Sequence, residues 1–239
     1  MNLSDQHLLV VGGSSGIGLA VAREGLAAGM RVTVLGRNPE RLRHAAESLP
    51  GITALPLDVE DAAAVARTLE AVPGPDQVYI AAGRFAGGTV FETPLGELRG
   101  AMEARVWGAL HCVRALAPRM RGPKASFVLT GGVSTDRPAK GTWMTSVATA
   151  AAEQLARVLA LELAPLRFNA IAPGWTDTPM WDDILGESKA EQFQAIGQKL
   201  PVGRISRAEE AAMAVLQLMA NPSITGEVLH VDCGHRLAA

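Results

Sequence analysis

One tyrosine, two cysteines and few lysines mark this 239-residue chain by scarcity. Cys112 and Cys233 lie far apart and share no metal-ligand spacing, so a disulfide framework and a cysteine metal site are excluded in favour of two buried, reduced thiols. No run of Lys or Arg occurs, and the net charge of −2 is dispersed. This excludes nucleic acid and an anionic membrane surface as partners. No uninterrupted apolar stretch is long enough to span a bilayer, and the first seven residues, Met1 to His7, lack a basic region followed by an apolar one. The chain therefore reads as cytoplasmic. The one tyrosine, Tyr79, falls in a β-rich run, and the lysines are Lys124, Lys140, Lys189 and Lys199.

What is present is an alternation of short β-rich runs with longer helical patterns. Leu8–Val11, Arg31–Leu35, Thr53–Leu57, Gln77–Ala81, Ala125–Thr130, Arg167–Ile171 and Glu227–Val231 are nearly continuous apolar runs, as expected of strands covered on both faces. Between them, Ile17–Ala28, Arg41–Ser48, Ala62–Val72, Leu95–Arg121, Thr145–Ala164 and Ala208–Ala220 read as crossover helices. The pattern predicts an α/β fold, a doubly wound parallel sheet of about seven strands with helices on both faces. At 48% hydrophobic and 19% charged residues, positions 1–239 form one domain with one core. Gly174–Ile205, with Pro179, Gly186, Gly197, Pro201 and Gly203, reads as a loop with short helices.

The strongest motif is Val10-Val-Gly12-Gly-Ser14-Ser15-Gly16-Ile17-Gly18, a strand running through a glycine turn into a helix. Glycines let the backbone approach a pyrophosphate, and the helix start offers unpaired N–H groups and a positive dipole end. The spacing Gly-x-x-x-Gly-x-Gly resembles the short-chain dehydrogenase/reductase family. Further matches run along the chain: Leu57-Asp58-Val59, Ala81-Ala82-Gly83, Asn169-Ala-Ile-Ala-Pro173-Gly174, Pro201-Val-Gly-Arg204, Ile224-Thr-Gly226 and Val231-Asp232-Cys-Gly234.

The resemblance implies a nicotinamide dinucleotide as cofactor. Gly36-Arg37-Asn38 ends the second strand without a carboxylate. An NAD site needs an acid there, whereas arginine suits a 2′-phosphate, so Arg37, helped by Ser14 and Asn38, predicts NADP(H). By the same resemblance Gly12, Ser15, Gly16, Ile17 and Gly18 hold the pyrophosphate, and Asp58 with Val59 meets the adenine. Ala82 and Gly83 line the adenosine ribose, and Pro173, Gly174, Thr176 and Thr178 cradle the nicotinamide. Asp58 also suits the plainer role of helix cap.

The catalytic half departs from the family. Gly132 stands at its serine position, Thr145 at its tyrosine and Thr149 at its lysine, while Arg105 occupies the asparagine position on the preceding helix. A threonine hydroxyl is far less acidic than a phenol with pKa of about 10. The polar candidates left near the nicotinamide are Arg105, Ser134, Lys140 and Thr145. An arginine is no acid at neutral pH, but it suits an anionic substrate or the positive charge otherwise given by lysine. Its alternative is an ion pair with a carboxylate at a subunit interface.

Trp143, Trp175 and Trp181, with Met144, Met180, Ile184 and Phe193, fall in segments flanking the nicotinamide site in the family, and 174–205 reads as a substrate lid. An aromatic core is the plainer reading. Two functions stay open: a divergent NADP(H)-dependent oxidoreductase acting on a small, partly hydrophobic carbonyl or alcohol, and a catalytically silent NADP(H)-binding protein serving as sensor or partner subunit. The helices Leu95–Arg121 and Thr145–Ala164 carry Trp107, Leu110, Val113, Leu155, Val158 and Leu159 on more than one face. Family members pair through these helices, so the expected assembly is a homo-oligomer, dimer or tetramer.

Overall fold

A computed structural model describes residues 3–120, 122 and 124–238. Met1, Asn2 and Arg121, the expected end of the long helix, lie outside the described residues. Seven strands form one parallel sheet: β1 (His7–Val11), β2 (Arg31–Gly36), β3 (Thr53–Pro56), β4 (Gln77–Ile80), β5 (Ser126–Thr130), β6 (Arg167–Pro173) and, near the C-terminus, Val228–Val231. Two two-residue strands, β7 (Thr176–Asp177) and β8 (Ser206–Arg207), pair separately, so Val228–Val231 is β9. The order β3-β2-β1-β4-β5-β6-β9 reverses direction between β1 and β4. A crevice opens at the carboxyl ends of the strands at this kind of switch point.

Alternation within each strand sorts its side chains to two cores. Leu8, Val10, Val32, Val34, Tyr79, Val128 and Ile171 pack on α1 (Gly16–Ala27), α2 (Pro39–Ser48) and α9 (Ala208–Ala220). Leu9, Val11, Val78, Ile80, Phe127, Leu129 and Phe168 pack on α3 (Ala62–Ala71), α5 (Gly108–Leu116) and α6 (Trp143–Glu162). Phe127 and Phe168, opposite one another in the β5–β6 register, stack at 4.7 Å. Helix starts follow local chemistry: Asn38 caps α2 by accepting from the Arg41 N–H at 3.0 Å, and Asp61 caps α3 through the Ala64 N–H at 2.9 Å.

The expected helix Leu95–Arg121 is not continuous. It runs as α4 (Leu95–Met102), a π-helical turn over Glu103–Trp107, α5, and a 3₁₀ turn over Ala117–Arg119 that contains Pro118. The π turn packs against α6, and Arg105 sits within it. Gly108 follows because a Cβ there would stand 2.6 Å from the Val59 side chain, so only glycine permits this approach. Gly174–Ile205 contains α7 (Met180–Leu185), a 3₁₀ turn and α8 (Lys189–Gly197) as expected of a loop with short helices, and it also carries the two-residue strand β7. Cys112 is buried among apolar groups, and its thiol is pushed up to about 12 by burial; Cys233 is part-buried beside Ser206. Both are free thiols. Among the described residues no helix is long and apolar enough to cross a membrane.

Candidate active site

A cavity of about 650 Å³ lies over the carboxyl ends of β1, β4 and β5, beneath α7. At one end the Gly12–Gly18 turn enters α1. A Cβ at Gly12 would stand 2.9 Å from the Ala82 nitrogen, and one at Gly18 would stand 2.2 Å from the Gly12 oxygen, so both must be glycine for β1, β4 and α1 to meet. The cap residue Ser15 makes no side-chain capping bond, which leaves the first N–H groups of α1 directed at the cavity wall. This is the chemistry an anionic diphosphate requires. Arg37, Asn38 and Arg41 line the same end. Arg37 is 3.7 Å from Glu60, a loose pairing, while Arg84 holds Glu60 directly.

The cofactor residues expected from sequence are brought together with one exception. Gly12, Ser14, Ser15, Gly16, Ile17, Gly18, Arg37, Asn38, Val59, Ala82, Gly83, Pro173, Gly174, Thr176 and Thr178 all line the cavity. Asp58 is exposed, lies outside the lining and accepts from the Glu60 N–H at 3.0 Å within its own turn, while the helix that follows is capped by Asp61 and not by Asp58. Sequence reasoning missed Glu60, Arg84, Phe85, Arg137 and His235, which also line it.

Around the other end stand the positions where catalytic groups were expected. Arg105 donates through Nη1 to the carbonyls of Thr130 (2.9 Å) and Gly131 (3.2 Å) at the end of β5. Its guanidinium lies over Gly83, where an added Cβ would be 2.8 Å from Nη2, and its Nε is buried without a hydrogen-bond partner. Within this chain it pairs with no carboxylate among the described residues. Burial lowers the Arg105 pKa, while Tyr79 and Glu153 favour its charge. Tyr79 is fully buried below, accepting from Thr130 Oγ1 at 2.9 Å, and burial pushes its phenol up.

Thr145 lines the cavity, but its hydroxyl is engaged on both sides: it accepts from the Ala86 N–H at 2.9 Å and donates to the Ala86 carbonyl at 3.0 Å. It thereby fastens the loop after β4 to α6. Ser134 and Thr149 line the cavity and their hydroxyls are 3.1 Å apart. Lys140 is exposed and lies outside the lining. One turn beyond Thr149, Glu153 is buried, accepting from the Gly132 N–H at 3.0 Å and from Thr135 Oγ1 at 2.9 Å. The spacing 145, 149, 153 puts these three side chains on one helix face, a signal the sequence did carry.

Trp175 and Trp181 stack at 4.3 Å over the cavity, with Phe193 edge-on behind both. Phe85 reaches Trp181 from the β4 loop at 5.9 Å. Met180 and Ile184 complete the apolar wall, whereas Trp143, Met144 and Phe193 are outside it. Lys189 ties this cap together through Asp177 (2.8 Å) and Asp182 (2.7 Å).

The chain matches the family model described as enoyl-(acyl carrier protein) reductase over residues 11–236. It is 30% identical over 255 residues to the short-chain dehydrogenase/reductase malC of Malbranchea aurantiaca, covering 97% of this chain and 95% of that one. This chain belongs to the short-chain dehydrogenase/reductase family. Within it, the 3-oxoacyl-(acyl-carrier-protein) reductase of Bos taurus is 31% identical over 241 residues, 98% of this chain and 99% of its own. The fold superposes with a TM-score of 0.90 on an NADPH-bound short chain oxidoreductase from Pseudomonas aeruginosa PAO1 that contains an atypical catalytic center. That protein is 30% identical, with 98% of this chain and 97% of the other covered.

Proposed function

We propose that this chain is an NADP(H)-dependent oxidoreductase that reduces a small, partly hydrophobic carbonyl compound, with proton delivery that does not use a tyrosine. The observation that carries the cofactor reading is the uncapped α1 N-terminus and its glycine turn in one cavity with Arg37, with no carboxylate at the end of β2. The NADPH in the Pseudomonas aeruginosa relative supports it. Gly12 to Gly18 would hold the diphosphate, Arg37 the 2′-phosphate, and Pro173, Gly174, Thr176 and Thr178 the nicotinamide end. When bound, the cofactor supplies a hydride; the redox power is its own.

The chain's residues do the rest. Phe85, Trp175, Trp181, Met180 and Ile184 offer an apolar wall, which suits a substrate with a hydrophobic body and excludes water. Residues 174–205 act as the lid, with α7 and α8 braced by Lys189. Arg105 places positive charge beside Gly83 and the end of β5, where charge developing on a carbonyl oxygen is stabilised. Incubating the protein with NADPH and a panel of apolar ketones and aldehydes is expected to consume the reduced nicotinamide absorbance with at least one member. NADPH binding without consumption by any of them would favour the silent reading, for which the full engagement of Thr145 by Ala86 speaks.

Assembly belongs to the same proposal. Of the helix residues expected at an interface, Val113 and Leu159 are buried in this chain's own core, but Trp107 is 51% and Val158 38% exposed, joined by Val147 and Leu161. These apolar groups on the long helices suit a second copy. Sedimentation at micromolar concentration is expected to give a dimer or tetramer, and a monomer would contradict this.

A further inference from the structure

Glu153 is a buried carboxylate one helical turn behind Thr149 of the cavity wall, and none of the roles above uses it. Its place is made by a glycine: a Cβ on Gly131 would stand 2.3 Å from Glu153 Oε1, so the carboxyl occupies the volume a side chain would fill. From Oε1 a continuous line of hydroxyls leads to the cavity. Thr135 Oγ1 is 2.9 Å from Glu153 Oε1 and 3.2 Å from Thr149 Oγ1, and Thr149 Oγ1 is 3.1 Å from Ser134 Oγ. Thr149 and Ser134 line the cavity, whereas Glu153 and Thr135 do not. Each hydroxyl can accept one proton while giving up another.

We propose that Glu153 is the proton reservoir of this site, connected through Thr135 and Thr149 to Ser134, which hands the proton to the substrate oxygen. The inference rests on the reductase reading above. Reduction of a ketone to an alcohol takes one hydride and one proton. The hydride forms the new C–H bond as the carbonyl π pair moves to oxygen. That oxygen takes the Ser134 hydroxyl proton, Ser134 is refilled from Thr149, Thr149 from Thr135, and Thr135 from the Glu153 carboxyl, which is left as carboxylate. In this arrangement Thr135 Oγ1 donates to Glu153 Oε1 and Thr149 Oγ1 donates to the Ser146 carbonyl at 2.9 Å, so both hydroxyls must rotate for transfer, Thr135 then accepting from the protonated carboxyl.

The surroundings fit a carboxyl that keeps its proton above the ordinary glutamate range. Burial raises the Glu153 pKa and is the largest influence. The Gly132 N–H and Thr135 hydroxyl oppose it, Asp136 at the end of the adjoining turn raises it further, and His230 on β9 lowers it. Arg105 faces it from the π turn. Asp136 accepts from His230 Nε2 at 2.6 Å at the protein surface.

The sign of the pH dependence follows. The carboxyl must be protonated to give a proton, so the reduction rate is flat at low pH and falls as pH rises through the Glu153 pKa, above the usual range. Two variants test it, Glu153→Gln and Thr135→Val, each checked for NADPH affinity by calorimetry. Infrared difference titration of the protein without cofactor is expected to show a carboxylic acid band titrating above the ordinary glutamate range, absent in Glu153→Gln and shifted in Thr135→Val. Reduction by both variants is expected to be tenfold or more slower, with the pH break removed in Glu153→Gln and NADPH affinity unchanged. Wild-type turnover that keeps its rate and pH profile in Glu153→Gln would overturn the relay alone, as would a Glu153 band titrating in the ordinary range. Absence of wild-type turnover on any carbonyl would overturn the reductase reading and the relay together.

Discussion

Arg105→Ala is expected to lower kcat for carbonyl reduction by about 10²- to 10³-fold, the loss seen when one preorganised donor to a developing oxyanion is removed. The guanidinium is held in place rather than free to adapt: Nη1 bridges the Thr130 and Gly131 carbonyls, and the plane lies over Gly83. Its charge is therefore positioned before the reaction begins. NADPH affinity, measured by calorimetry, is expected to stay nearly constant, because an interaction made only in the transition state is lost without loss of ground-state binding. Arg105→Lys keeps the charge but cannot bridge two carbonyls with a planar fork, so a partial recovery of kcat is expected. Equal kcat in wild type and Arg105→Ala would assign the arginine to packing of β5 against the π turn. A parallel fall in kcat and NADPH affinity would point to the same structural role.

The second large effect concerns cofactor choice. Wild-type protein is expected to bind NADPH at least tenfold more tightly than NADH, and Arg37→Ala to remove most of that preference. A charge-assisted phosphate contact contributes about 1.5–3 kcal/mol, and the exposure of Arg37, 56% of its side chain, puts the value near the lower end, close to one decade in affinity. Glu60 decides how cleanly this appears. It stands 3.7 Å from Arg37 and is held by Arg84, so a 2′-phosphate draws Arg37 away from a pairing that is already loose. NADH affinity is expected to change little in the variant. Equal affinities for the two cofactors in the wild type would sink the assignment.

How much of this was legible in the sequence depends on the range of the contact. The glycine turn, the Gly36-Arg37-Asn38 end of β2 and the continuous apolar strands are local patterns, and each stands in the fold where its pattern implied. The Leu95–Arg121 run shows helical periodicity throughout, yet the chain passes through a π turn at Glu103–Trp107, where it packs on α6 and Arg105 reaches the end of β5, contacts that the local pattern does not carry. Thr145 was legible as a missing phenol, but not as a fastener for Ala86, a partner 59 residues away. Glu153 carried only the spacing of one helix face; its burial against Gly131 and Thr135 is a tertiary fact. The pocket aromatics divided for the same reason. Trp175 and Trp181 line the cavity while Trp143 does not, and Phe85, which does, lies in a loop without periodicity.

In the function proposed above, hydride passes between NADP(H) and a carbonyl without a tyrosine acid. Its most direct measurement is the fate of deuterium: the protein is incubated with NADPH deuterated at the transferring position of the nicotinamide and with an apolar ketone, and the product is read by mass spectrometry. The expected product is an alcohol carrying one deuterium on the carbinol carbon for each NADPH consumed. An unreduced ketone, or an alcohol without the label, would contradict it.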